Sequence, residues 1–332
     1  MSGPIIIRRC QVVQEAHDTV SISLDAGQGI CGRALLPGDQ ALLARLRQAA
    51  AAMGGQPLHA RHPDLNRLGP LLDDAVQRQA VGALEAVRLD AVSRLHDLPL
   101  HAWLGGALSR HLAVAVGLSS PATSGDPLPA GLRRVIVDSA ASDLARLAET
   151  LTLARDLASP PTELALQLRG QFAPANLASL LALGRQFELA YIADPCADSV
   201  AAGQAFAGAL PALAISPHRY PPASLRPTVA SGGPQILLVD PIAMGGAEAV
   251  RALATFANLT GLEIALTAAA GGAWGARFAA HLGATLSACS QPLIIAREAL
   301  HELGIADGRL TLDDTAGIHW ALGNTAVGTV AP

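Results

Sequence analysis

The sequence contains no lysine: all 23 basic residues are arginine, against 27 acidic ones and a net charge of −4. This excludes every mechanism built on a lysine amine, whether as Schiff base, general acid or phosphate ligand. Aromatic residues are 3% of the 332 and charged residues 15%, while hydrophobic ones reach 51%. The core must therefore be made of Ala, Leu, Val and Ile, and the balance is that of a folded chain rather than a disordered one. Nucleic-acid binders carry a basic patch or stripe, and the paired basics here are only Arg8-Arg9 and Arg133-Arg134, so no nucleic-acid partner is expected. Cys10, Cys31, Cys196 and Cys289 show no C-x-x-C spacing. Zinc clusters and redox pairs are thus unsupported, and free thiols in a reducing compartment are the expectation. The opening run lacks the pattern of a signal peptide. The most membrane-like stretch, Ala252 to Ala276, is interrupted by Asn258, Glu263 and Gly271-Gly272 and reads as a helix followed by a buried strand. A cytoplasmic protein with no membrane partner follows.

Apolar runs of strand length alternate with helical periodicity along most of the chain. Ile5–Val13 and the alternating Val20–Leu24 read as strands, and Leu42–Met53, closed by Gly54-Gly55, reads as a helix. Leu71–Leu95 is helical and Ser119–Gly131 is a loop rich in Ser, Pro and Gly. A strand at Arg133–Val137 precedes a long helix with apolar positions at Leu144, Leu147, Leu151, Ala154 and Leu157, capped by Ser139 or Ser142 and stopped by Ser159-Pro160-Pro161. Strands at Phe187–Ile192, Ile236–Val239 and Leu262–Thr267, with helices between them, argue for an α/β sheet covered on both faces.

The segment Leu153-Ala-Arg-Asp-Leu-Ala-Ser-Pro-Pro-Thr-Glu-Leu164 is similar to the end of the linking helix of the leucyl aminopeptidase family. Further segments resemble that family in its order: the stretch Gln204 to Leu225, Met244-Gly-Gly-Ala-Glu-Ala-Val250, Ala306-Asp-Gly-Arg309 and Thr315 to Asn324. The resemblance implies two α/β domains, an N-terminal macro-domain-like one over 1–130 and a shortened, mixed-sheet aminopeptidase-like one over 161–332, joined by a strand and helix over 131–160. It also implies a two-metal peptidase whose ligands are mostly carboxylates, with lysines assisting. At the matching positions Ala243 and Ile305 replace aspartates, both lysines are missing, and Arg309 alone matches fully. The chain is therefore expected to have lost metal binding and peptidase activity, with no cofactor, and to act by assembly, either with itself or with an aminopeptidase paralogue. A vestigial cleft would hold Arg309 as the residual catalytic group, with Asp307, Asp240, Gly245 and Gly246 beside it. One alternative is a hydrolase with an altered zinc or manganese site, and another is a peptide- or small-molecule-binding module.

Several residues admit two readings. Gly245-Gly246 could cradle a phosphate at a helix start, but no Lys, Ser or Thr partner follows, which favours tight helix–strand packing. His218-Arg219-Tyr220, lying between prolines, forms a loop able to touch a ligand. His281, His301 and His319 show no H-E-x-x-H spacing, and Asp313-Asp314 reads as a cap or solvated loop.

Overall fold

The computed structural model describes residues 4–16, 18–59, 74–119, 128–158 and 160–318. His319, most of the expected 119–131 loop and the second half of the Thr315–Asn324 segment lie outside the described residues.

Strands β1 (Arg9–Ala16), β2 (Thr19–Asp25) and β3 (Cys31–Pro37) form an antiparallel meander. Along β2 and β3 burial alternates residue by residue, so Val20, Ile22 and Leu24 face the core while their neighbours stay half exposed. Helix α1 (Gln40–Ala51), capped by Asp39 accepting from the Leu42 N–H at 2.9 Å, packs on β1. Helix α2 (Ala75–Leu95) is buried on every side from Ala80 to Ser93, because α1 and β3 cover one flank and the second half of the chain covers another. Gly82 permits the second contact: a Cβ there would overlap the Ile242 carbonyl oxygen.

A short helix α3 (Leu100–Trp103) leads into a ring of strands: β4 (His111–Leu118), β5 (Arg134–Asp138), β6 (Glu163–Gln167), β7 (Leu189–Ala193), β8 (Ala212–Ile215), β9 (Pro234–Val239), β10 (Glu263–Leu266) and β11 (Leu293–Ala296). Successive strands pair in parallel from β4 to β10, and β11 returns to pair in parallel with β4. One parallel bridge, Thr267 to Ile294, closes the circle. The helices between them are α4 (Leu144–Leu157), α5 (Leu177–Gln186), α6 (Ser199–Phe206), α7 (Pro222–Ala230), α8 (Ala247–Thr260) and α9 (Gly272–Gly283). A one-turn helix, α10 (Leu300–Leu303), precedes β12 (Arg309–Thr311), which adds antiparallel to the start of β4.

In β9, Ile236 and Leu238 point into the ring while Leu237 and Val239 join the layer beneath the helices, which is why the run reads as continuously apolar. The ring interior is narrow and is filled mainly by alanines (Ala115, Ala165, Ala193, Ala212, Ala214 and Ala265) around the fully buried Tyr191. The Arg134 guanidinium lies 5.1 Å from the centre of the Tyr191 ring and bonds Glu163 (2.6 Å) and Gln291 (2.7 Å), plugging the end where the strands begin.

The expected α/β class holds, but the macro-domain-like and aminopeptidase-like halves do not. The expected linker helix is α4, a crossover between the neighbouring parallel strands β5 and β6. Its cap is Asp143, accepting from the Ala145 N–H at 2.9 Å, rather than either serine. The ring begins at His111 and runs through the expected boundaries at 130 and 160.

Candidate active site

A cleft of about 330 Å³ opens where the parallel strands end. Loops at this end of such rings carry the reactive groups in barrel enzymes, whereas the opposite end serves stability. Two other hollows, of about 180 and 520 Å³, open at the starts of the strands, around Cys289 and Gln291 and around Arg133 and Glu163. The smaller is mostly apolar and the larger is bordered by Pro160, Pro161 and small residues. The cleft at the strand ends gathers charged groups from separate strands, and for that reason it is the candidate site.

Each strand delivers a polar residue as its ladder runs out. Asp138 ends β5, Gln167 ends β6, and Asp194, Ser216, Asp240 and Thr267 directly follow β7, β8, β9 and β10. Arg169, two residues past β6, forms a two-pronged ion pair with Asp138. That bond holds the guanidinium firmly in its charged form. Arg169 and Asp194 both adopt left-handed backbone (φ 56° and 46°), which the short polar side chain of Asp194 tolerates better than most.

Asp194 is 1% exposed and accepts from three donors. Its carboxylate accepts from the Ser216 N–H (2.7 Å), the Ser216 hydroxyl (2.6 Å) and the Gln167 amide (2.7 Å). Arg219 stands beyond it, its Nε 3.6 Å from Oδ2, and its side chain remains 37% exposed. Asp240 is 2% exposed; its two oxygens accept from the N–H groups of Ile242 (2.9 Å), Ala243 (3.1 Å) and Ala270 (2.8 Å). Burial pushes its pKa up, and those three N–H groups pull it back down.

His218 lines the cleft from the one-turn helix Pro217–Arg219, and the Arg78 guanidinium bonds its carbonyl at 3.0 Å. Burial, reinforced by Arg219 and Arg78, drives its pKa down to about 4, so the imidazole is neutral at pH 7. Its buried Nδ1 has no partner among the described residues.

The structure does not bring the sequence-derived site residues together. Asp240 lies at the cleft. Gly245 and Gly246 turn into α8, and Glu85 accepts the Ala247 N–H there at 2.7 Å, so a carboxylate of the chain itself occupies that helix start. Asp307 and Arg309 lie on an exposed turn whose Gly308 carbonyl bonds the Val114 N–H near the start of β4, at the far end of the ring. His281 is buried against His101 and does not line the cleft. His218 and Arg219, read as a ligand-touching loop, line the cleft. Arg169, Asp194 and Ser216 went unnoticed, although a recurring signal exists: an apolar strand run followed by a polar residue at Gln167, Asp194, Ser216, Asp240 and Thr267, 22 to 27 residues apart.

Solved structures with this fold include a Burkholderia xenovorans protein described as an L-alanine-DL-glutamate epimerase, bound to magnesium and fumarate. It has a TM-score of 0.79 at 16% identity, covering 95% of this chain and 93% of that one. A mandelate racemase/muconate lactonizing protein from Paracoccus denitrificans, complexed with magnesium, gives 0.77 at 16% identity with 95% of each chain covered. An enolase from Thermobispora bispora, with magnesium and formate, gives 0.78 at 18% identity, covering 95% of this chain and 89% of that one. No curated protein matches. The profile of the enolase C-terminal domain-like family matches residues 128–319.

These findings overturn the leucyl aminopeptidase resemblance. The silent peptidase and the altered aminopeptidase drawn from it fall too, as does the basis for an aminopeptidase paralogue as partner. The expectation of no cofactor, or of zinc or manganese, falls with the resemblance it came from; magnesium is the ion named for all three of those proteins. The profile match spans more than half of the sequence and lies across the ring that forms the cleft: the chain belongs to the enolase C-terminal domain-like family.

Proposed function

We propose that this chain is an enolase-superfamily enzyme of the isomerase or epimerase type, moving a proton at a carbon beside the carboxylate of a small organic acid in the cleft at the strand ends. The observation that carries this reading is the convergence there, from separate strands, of Asp138 with Arg169, Asp194 with Arg219, and an uncharged imidazole at His218. Family membership and the descriptions of the solved structures support the same class of reaction.

Enolase-superfamily sites pair a lysine or histidine base with magnesium, which stabilises the ene-diolate. The residues here do not fit that ion as arranged. Hard divalent cations need several free oxygen ligands. The oxygens of Asp194 and Asp240 are taken by donors of the chain, Ser216 between them is itself a donor to Asp194, and the Arg219 guanidinium flanks the same carboxylate. Among the described residues no group of three His, Cys, Asp or Glu could hold a metal.

The chain's own groups supply the rest. Lysine is absent, so the proton falls to His218, whose ring is neutral at pH 7, although a pKa of about 4 makes it a weak base. Ile136, Leu238 and Ile294 give the same cleft an apolar wall. The test is exchange of the carbon-bound hydrogen of 2-hydroxy acids, 2-amino acids and dipeptides in D2O, followed by proton NMR with and without added magnesium. Loss of an α-proton signal that disappears in His218→Gln supports the reading. No exchange in any acid of the panel would sink it.

A further inference from the structure

Among the described residues, Arg219 is the least satisfied charge in the cleft. The Asp194 carboxylate beneath it is 1% exposed and already accepts from Gln167 and from both donors of Ser216. At 3.6 Å the guanidinium is held by that buried charge but lies outside hydrogen-bond range, so its fork of N–H groups is not consumed by the pair. Its side chain keeps 37% of its surface, on the cleft.

Arg169 faces the same cleft with 47% of its side chain exposed, anchored through Nε and Nη2 on Asp138, with no partner for Nη1 among the described residues. The two other acids present little to a ligand. Asp240 is turned into three backbone N–H groups, and Asp138 is engaged by Arg169. A molecule entering the cleft therefore meets cationic donors first, even though the acids and arginines nearly balance.

We infer that Arg219, propped by the buried Asp194 and assisted by Arg169, receives the carboxylate of the ligand directly. A guanidinium fork matches a carboxylate in two parallel bonds, which a lysine or a spherical ion cannot do. Asp194 acts as a positioning residue in this arrangement, fixing the fork in advance so that little side-chain freedom is lost on binding. The inference rests on reading the cleft as the ligand site, but not on any particular reaction there.

The experiment is calorimetric titration of the purified chain with formate, succinate and mandelate, with succinamide as the uncharged comparison. Each is run in EDTA and again in excess magnesium. At least one carboxylate is expected to bind in EDTA while succinamide does not. Arg219→Gln is expected to weaken that binding roughly 10- to 100-fold, the usual scale for charge-assisted bonds. Arg169→Gln is expected to weaken it less, and Arg309→Gln, at the far end of the ring, to leave it unchanged. Far-UV spectra and melting curves confirm folding, and Arg219→Lys, which keeps the charge but not the fork, is expected to recover only part of the affinity. Binding unaffected by Arg219→Gln, binding that requires magnesium, or no carboxylate binding at all would each overturn the inference. Carboxylate binding without α-proton exchange would refute the proposed reaction and leave the arginine site standing.

Discussion

Replacing Asp240 by asparagine isolates one carboxylate whose surroundings are fully specified. The side chain is 2% exposed, with one oxygen accepting from Ile242 and Ala243 and the other from Ala270. An amide can offer its oxygen to only one side. If it keeps the Ile242–Ala243 pair, those bonds become neutral and lose about 0.5–1.5 kcal/mol each, and its NH2 opposes the Ala270 N–H, leaving a donor unpaired at about 1–3 kcal/mol. Removing a charge from the interior offsets part of this, since burial already raises the pKa of Asp240. The net loss is about 2–4 kcal/mol, or roughly 4–8 °C in Tm at about 2 °C per kcal/mol for a chain of this size. Thermal melts followed by far-UV circular dichroism measure it. Asp307→Asn serves as the comparison, because Asp307 is exposed and left-handed (φ 47°), where asparagine is equally at home. It should melt within about 1 °C of the parent by the usual scale of surface changes. If Asp240→Asn melted with or above the parent, Asp240 would not be a charged acceptor in the folded protein, and the account of this strand end would be wrong.

Three other perturbations have definite signs. His281 stacks against His101 with their Nδ1 atoms 3.0 Å apart, and burial, then His101, lowers its pKa from 6.5 to about 3, with Asp313 opposing and Arg277 adding. The folded state thus prefers the neutral ring, so this stability is intact above about pH 6.5 and falls by about 1.4 kcal/mol per pH unit below it, down toward the folded value. Urea midpoints between pH 7 and 5 should fall, and a slope unchanged in His281→Gln would contradict this. Gly246→Ala should cost about 3 kcal/mol or more in urea denaturation: φ is 111°, and a Cβ would overlap the Glu85 carboxylate that caps α8. A loss below about 1 kcal/mol, no more than glycine-to-alanine changes commonly make in either direction, would show that the turn is not strained. Arg309→Ala should leave α-proton exchange unchanged, since Arg309 sits on an exposed turn at the starts of the strands, and a large drop in exchange rate would displace the site from the cleft.

Much of the secondary structure was legible because it depends on local periodicity. Leu144–Leu157 carries its apolar residues on one face, and the run Ile236–Val239 is apolar on both faces because ring strands are covered inside and out. The arginine-only basic set and the alanine-rich core followed from counting residues. Asp240 was singled out at the strand end where it lies, although for a family the chain does not belong to.

Closure of the ring was not legible, because parallel pairing joins residues 19 or more positions apart and one bridge, Thr267 to Ile294, completes it. The cleft depends on that closure: Arg169, Asp194, His218 and Arg219 converge only once β6, β7 and β8 lie side by side. The same closure sends Arg309 and Asp307 to the opposite end, a separation invisible in a motif read along the chain. Short sequence resemblances record local chemistry, such as a Gly-Gly helix start. Whether that start receives a ligand or the Glu85 carboxylate is decided by the long-range packing of α2 against α8.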